Sequence, residues 1–294
     1  MAGDLLRQLA RRARERVRWR AWRRAAGETR RRRVIGDVDP ATLHDTEAFE
    51  FRCNICGYTS RTTLAALDRE TPTCRKCRSG VRIRAMAGLV VSETLGHRLA
   101  LPDMAPAKQI RGIGLSDTTA YAGALAAQFA YVNTYLHTRP RLDITRPDFE
   151  RYGGQDFVVA SDVFEHVPPP VAKAFENARR LLAPGGKLIF AVPFSLDGET
   201  VEHFPDLHDW RIETAGGTST LVNRAVDGTV TEHSQLVFHG GGGTTLEMRR
   251  FSRAGLERYL SEAGFARFRV ASEHYLPFGI YWKNPWSVPM VAYR

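Results

Sequence analysis

The sequence predicts an α/β fold built on a parallel sheet, with a small metal-binding module ahead of it. Three observations carry this. Residues 155–192 read as strand, crossover helix, strand, and that unit lays its two strands parallel in one sheet. Residues 251–272 read as a helix stopped at Gly264 and followed by another apolar strand, which extends the same alternation. Cys53-Asn-Ile-Cys56 and Cys74-Arg-Lys-Cys77 stand ahead of both, with 17 residues between the pairs, a spacing that suits one tetrahedral ion.

The chain of 294 residues is long enough for one catalytic domain and an accessory module. No run of 18 apolar residues is present, so no membrane-spanning helix is predicted. The N-terminus lacks an apolar core and has Thr29 as its one hydroxyl residue before position 40, which argues against a secretory signal or transit peptide. A cytoplasmic protein is expected. Residues 1–33 hold 13 arginines against Asp4, Glu15 and Glu28, so the whole formal charge of +10 sits there and the remaining positions balance. Leu5, Leu6, Leu9, Ala10, Ala13 and Val17 share one side of a predicted helix within this 1–35 arm, with Trp19 and Trp22 on another. Three readings stay open: a peripheral helix on an anionic membrane surface, a nucleic-acid-binding arm, and a solvated tail.

Residues 36–47 are linker-like, and the four cysteines fall in a module predicted over 48–82. The ligand set is Cys53, Cys56, Cys74 and Cys77, with Gly57 and Gly80 fitting the turns. Four thiolates leave no open position, so the zinc they imply is structural. Free cysteines need two pairs by coincidence, and a redox role needs only one pair. Residues 83–107 are read as a linking helix and a Pro-containing connection. The body then runs over 108–294.

Within the body, residues 109–117 (QIRGIGLSD) are a short strand entering a glycine-bearing turn, and 119–129 a helix. Residues 129–134 (FAYVNT) read as a second strand and 142–145 (LDIT) as the end of a third. Residues 157–160 form a strand buried on both faces, ending in Ser161 and Asp162. A proline-rich turn follows. Val171, Ala174, Phe175, Ala178 and Leu182 then share one helical face. Pro184-Gly185-Gly186 stops that helix, and residues 187–192 form the next strand. Ligands on such sheets sit at the carboxyl ends of the strands, where Ser161, Asp162, Glu165 and His166 fall.

The run Asp162-x-x-Glu165-His166-Val167, followed by Leu182-x-Pro-Gly-Gly-x-Leu-Ile-Phe190, resembles class I S-adenosylmethionine-dependent methyltransferases. The resemblance covers roughly residues 108–294 and implies a Rossmann-like, seven-stranded sheet with helices on both faces and an antiparallel last strand. It implies S-adenosylmethionine as cofactor, cradled by Gly112, Gly114 and Asp117, with Ser161 and Asp162 lining its reactive end. The family usually grips the ribose with an acidic residue after the second strand. Here Asn133 stands there, whose amide can still serve a diol or simply cap the strand. Asp143 matches the adenine-side aspartate, or caps the turn that follows. His166 and Glu165 face the acceptor, and His166 is a proton acceptor by virtue of its near-neutral pKa; both equally read as groups that only shape the pocket.

Residues 194–246 are an insertion rich in His, Gly and Thr. A hairpin is predicted around Asp227-Gly228. Glu202, His203, His208, Asp209 and His239 are read as an acceptor pocket or metal site, or as surface groups of a lid, with residues 240–243 as a hinge. A helix over 251–263, capped by Ser252, and strands at 265–272 and 288–293 close the sheet. The function expected is methyl transfer to a small-molecule or glycan-type acceptor, O-methylation first. An RNA methyltransferase and a non-catalytic scaffold are the alternatives.

Overall fold

The computed structural model describes residues 40–239 and 245–294. The basic arm at 1–35 and the hinge expected at 240–243 lie outside the described residues. Among the described residues, no helix is long and apolar enough to cross a membrane.

The described chain opens with an antiparallel ribbon, β1 (Ala48–Arg52) and β2 (Thr59–Thr63), in register Phe51↔Ser60. The first cysteine pair lies in the turn between them, and the second precedes helix α1 (Val81–Leu95). That helix starts at Gly80 and stops at left-handed Gly96. Next come β3 (Ala107–Leu115), α2 (Thr119–Gln128), β4 (Phe129–Thr134), α3 (Phe149–Tyr152), β5 (Gln155–Ser161), α4 (Ala172–Leu181) and β6 (Leu182–Ala191). Strands β4, β3, β5 and β6 are neighbours in that order and all parallel. Pro184-Gly185-Gly186 does not stand between helix and strand. It forms a bulge inside β6, where the register jumps between Gln155↔Leu182 and Phe157↔Lys187.

After β6 come β7 (Phe194–Ser195), β8 (Val201–Glu202), β9 (Asp209–Ala215), β10 (Thr218–Arg224), β11 (Val230–His233), β12 (Phe238–His239), β13 (Thr245–Leu246) and β14 (Arg249–Ser252). Strands β10 and β11 form the expected hairpin around Asp227-Gly228, and β9 pairs on the other side of β10. Helix α5 (Arg253–Glu262) is capped by Ser252, whose Oγ accepts from Gly255 N at 3.0 Å. The chain closes on β15 (Arg267–Val270) and β16 (Met290–Tyr293). The latter runs antiparallel between β15 and β6.

The central sheet has six strands, in the order β15-β16-β6-β5-β3-β4, not the expected seven. Residues 142–145 form a turn: Arg146 N donates to Asp143 O, and Asp143 Oδ1 accepts from both Thr145 N and Oγ1. Pro140 and Pro147 flank this segment and take donors out of any ladder it could join. A single parallel bridge between Tyr135 and Arg141 is what remains there.

Side-chain alternation sends each strand to two cores. Phe157, Val159, Ile189 and Ala191 pack with α1 and α2, against Val90, Val91 and Leu125. Val158, Ala160, Leu188 and Phe190 pack with α4 and α5, against Phe175, Leu181, Leu256 and Leu260. Helices therefore cover both faces of the sheet. The cysteine ribbon is continuous with both cores. Leu64 and Leu67 join the α4–α5 side, while Phe51 and Ile55 join the α1–α2 side. Fully buried Arg84 of α1 bolts the ribbon to the tail. It donates to Ser79 O at 2.5 Å and Gly279 O at 2.7 Å, and its guanidinium lies over the Phe51 ring.

Candidate functional site

The tips of β3 and β5 lie side by side, and each ends in a non-glycine residue with positive φ: Ser116 at 58° and Asp162 at 54°. Such conformations cost on the order of 1–3 kcal/mol and persist only where the surroundings impose them. At Asp162 the turn is held by its backbone N, which donates to Ala191 O at 2.8 Å.

Behind the β3 tip, Asp117 is buried and accepts from the hydroxyls of Tyr121 and Tyr131, each at 2.6 Å. Burial pushes its carboxyl up to about 7, against the lowering effect of the two hydroxyls and of nearby Arg82. Gly112 and Gly114 lie inside β3. A Cβ at Gly114 would stand 2.0 Å from Tyr131 Oη and 2.2 Å from Asp117 Oδ2, and one at Gly112 would stand 2.1 Å from the Phe157 ring. The space both glycines leave is thus taken by the chain's own side chains. Asn133 brackets Asp117: its Oδ1 accepts from Asp117 N at 2.9 Å, and its Nδ2 donates to Asp117 O at 2.8 Å. Its remaining contact is with the Tyr135 hydroxyl. Asp143 serves as the cap of the 143–146 turn.

The β5 tip is gripped from the ribbon side. Arg69 Nη2 and Arg82 Nη1 pair with the two oxygens of Asp162, at 3.0 and 2.9 Å. Arg82 also donates to Ser161 Oγ and makes a two-pronged pair with Glu70, both contacts at 2.6 Å. Sequence reading missed both arginines. Neither belongs to a spaced motif, and only the packing of the ribbon on the sheet brings them to residues 79–93 positions further along.

Past Asp162, a single 3-10 turn, Phe164–His166, carries the two acceptor-side candidates. The chain at 246–249 clamps it: Met248 N donates to Glu165 O at 2.8 Å, and Arg249 Nη1 to Phe164 O at 2.7 Å. His166 Nδ1 lies 2.9 Å from Leu246 O. A carbonyl can only accept, so Nδ1 carries the proton and Nε2 keeps its lone pair. Burial lowers the pKa of this ring. Glu165 is fully buried, and neither carboxylate oxygen has a hydrogen-bond partner. Burial, helped by the charge of Asp162, raises its pKa well above the ordinary range.

The candidates from the insertion separate. His203 and His239 both contact Glu247, Nε2 to carboxylate oxygen, at 2.8 and 2.9 Å. Glu202 instead pairs with buried Arg249 at 2.7 Å. His208 donates its backbone N to Asn223 Oδ1, and Asp209 is exposed at the start of β9.

The four cysteine sulfurs converge. Cys53 and Cys77 are 3.6 Å apart, Cys56 and Cys74 likewise, and all four lie within 4.8 Å of one another. A tetrahedral ion with Zn–S bonds of about 2.3 Å needs sulfurs roughly 3.8 Å apart, so the set fits. Each knuckle turns on a left-handed residue directly after its second cysteine, Gly57 at 73° and Arg78 at 61°. The turn expected to use Gly80 uses Arg78 instead, and Gly80 caps α1.

Two family models, both described as a methyltransferase domain, match residues 148–267 and 100–190. Together they include both strand tips. No curated protein matches the sequence. Among solved structures, an S-adenosylmethionine-dependent methyltransferase from Clostridium acetobutylicum aligns at 11% identity, over 74% of this chain and 94% of its own, with a TM-score of 0.42. A 1,6-didemethyltoxoflavin-N1-methyltransferase from Burkholderia thailandensis aligns at 16% identity, over 71% and 78%, with a TM-score of 0.39. A sugar N-methyltransferase from Streptoalloteichus sp. aligns at 14% identity, over 73% and 87%, with a TM-score of 0.41.

Proposed function

We propose that the chain is an S-adenosylmethionine-dependent methyltransferase acting on a hydroxyl of a small-molecule or glycan-type acceptor. The observation that carries this is one of coincidence. The stretch similar to methyltransferase domains, residues 100–267, contains the two adjacent strand tips, and at those tips stand the two strained turns. The donor set there fits a zwitterionic nucleotide. The guanidiniums of Arg69 and Arg82 suit its carboxylate, and the Asp162 carboxylate suits its ammonium. The Tyr135 hydroxyl at the end of β4 can serve the ribose, since the Asn133 amide is spent on Asp117.

When bound, S-adenosylmethionine supplies an electrophilic methyl group. The chain's own part is to hold the acceptor oxygen in line and to strip it of competing water. Residues 164–166 and 246–249 form one wall of that space, and the His166 Nε2 lone pair is its basic atom. The ribbon's thiols hold a structural zinc. Outside the arm, acidic and basic residues balance, which favours an uncharged acceptor over a polyanion. Residues 1–33 hold the protein at an anionic membrane surface; co-sedimentation with anionic vesicles, lost on deleting residues 1–33, tests this.

Calorimetric titration with S-adenosylmethionine tests the central reading. One equivalent is expected to bind, with affinity falling about tenfold, or about 1.4 kcal/mol, in Asp162→Ala. No heat and no competition by S-adenosylhomocysteine would sink it.

A further inference from the structure

A second cluster of metal-ligating side chains stands apart from the cysteines. We infer that Glu165, His166 and His239 bind a divalent first-row metal ion of the zinc type, backed by Glu247. One ligand atom from each of the three residues lies within 4.8 Å of the others, and His166 Nε2 is 3.9 Å from Glu165 Oε1. An ion with bonds of about 2.0–2.2 Å to nitrogen and oxygen holds its ligands roughly 3–4 Å apart. Small rotations of the two rings therefore close the set.

The chemistry of each ligand is already prepared. His166 gives its Nδ1 proton to Leu246 O and so presents the Nε2 lone pair inward. His239 points Nε2 at Glu247 Oε2, 2.9 Å away. With that nitrogen protonated, Nδ1 holds the lone pair. A carboxylate or carbonyl behind each imidazole is the usual way a metal-binding histidine is oriented and made more basic. Glu247 in turn is fixed by His203 on its other oxygen, at 2.8 Å.

The independent sign is Glu165. A carboxyl group with both oxygens buried and unpartnered costs several kcal/mol unless a charge compensates it. Arg249 clamps the same turn through Nη1 on Phe164 O and holds Glu202 through Nε, and its Nη2 makes no hydrogen bond to either Glu165 oxygen. The position facing Glu165 is instead lined by the imidazoles of His166 and His239. A dication among these three groups satisfies the carboxylate and uses both lone pairs. Two imidazoles and one carboxylate are also the donor set of metal sites that keep positions open to an outside oxygen.

This placement deepens the proposed function and rests on it only in one respect. The open positions would take the acceptor's hydroxyl, and the ion would hold that oxygen beside Asp162 and lower its pKa, so that its proton would leave to solvent water in place of a protein base. Binding of the ion itself does not depend on that reading.

The test is stoichiometry of the full chain with zinc alone, and with cobalt as a spectroscopic probe. Two ions per chain are expected. The cysteine site gives intense sulfur-to-cobalt charge-transfer absorption, and the second site adds only weaker visible bands. In Glu165→Gln/His239→Gln the second equivalent and its bands should vanish, while the thiolate bands remain and certify the fold. Glu247→Gln should weaken the second ion on the order of 10–100-fold. One equivalent in the unaltered chain, or a second equivalent that survives the double substitution, overturns the inference. Titration with S-adenosylmethionine in parallel separates the two claims. A chain that takes two ions but no nucleotide refutes the proposed function alone, and the reverse refutes this site alone.

Discussion

Replacing Asp117 by Asn isolates one buried titration. Asp117 is 4% exposed, and its carboxyl, ordinarily near 3.8, sits at about 7 in the fold. The folded state therefore holds a proton that the unfolded chain has already lost. Where the native state binds more protons than the unfolded one, stability falls as pH rises. The loss starts near pH 4, where the unfolded group ionises, and is complete just above pH 7. Its size is about 1.4 kcal/mol for each pH unit between the two values, or about 4 kcal/mol in all. For a domain of this size that is roughly 8–16 °C in melting temperature. Asparagine keeps the geometry, because its oxygen can accept from one tyrosine and its amide can donate to the other. The groups facing the site are Tyr121, Tyr131, Asn133 and Arg82, and none of them titrates in that window. The assay is thermal unfolding of both proteins from pH 4.5 to 8. The two curves should nearly coincide at the acid end and diverge toward pH 8, with Asp117→Asn the more stable. Parallel curves across the whole range would refute the claim that Asp117 is protonated in the native state.

Other perturbations follow from the same contacts. Gly114→Ala drives a methyl into the Tyr131 hydroxyl and Asp117, so a loss of about 3 kcal/mol is expected; adding Tyr131→Phe should recover part of it in a double-mutant cycle. Arg84→Met strands two buried carbonyls, at Ser79 and Gly279. A cost of about 1–3 kcal/mol for each is expected in denaturant unfolding. Arg82→Gln, by freeing Asp162 and Ser161, should weaken S-adenosylmethionine binding in calorimetry, whereas the exposed ribbon arginine Arg75→Gln should not. Stripping the zinc proposed at the cysteines with a chelator should lower the melting temperature of the whole molecule in one transition, since Leu64, Leu67, Phe51 and Ile55 belong to the main cores; a separate early transition would contradict that packing.

Much of the architecture was legible because buried parallel strands are short apolar runs between polar ends. Residues 129–134 were read as a strand to the residue, and Ser252 as a cap, because their signals are local. The turn at 142–145 was misread because four residues of strand-like composition cannot reveal that flanking prolines keep them out of a ladder. The cysteines announced their convergence by spacing alone. The glycines at 112 and 114 read as a cradle for a cofactor; that Phe157 and Tyr131 fill the space beside them was not legible, because both lie too far along the chain for spacing to tell. Arg69 and Arg82 carried no signal at all. His239 was legible as a metal-site candidate, but spacing alone does not show that its ring meets His166, 73 positions earlier, at 5.2 Å between centroids.

Truncation shows what the shared cores mean. A shortened chain beginning at β3 would look like a tidy unit on paper, yet it would lay bare the stretch of β5 and β6 that α1 now covers. It would also unseat the aspartate at the crevice from both of its cationic partners. The boundary between ribbon and sheet is a seam in the sequence and not a joint in the solid. Swapping the ribbon for another module would require rebuilding the floor on which the reaction stands.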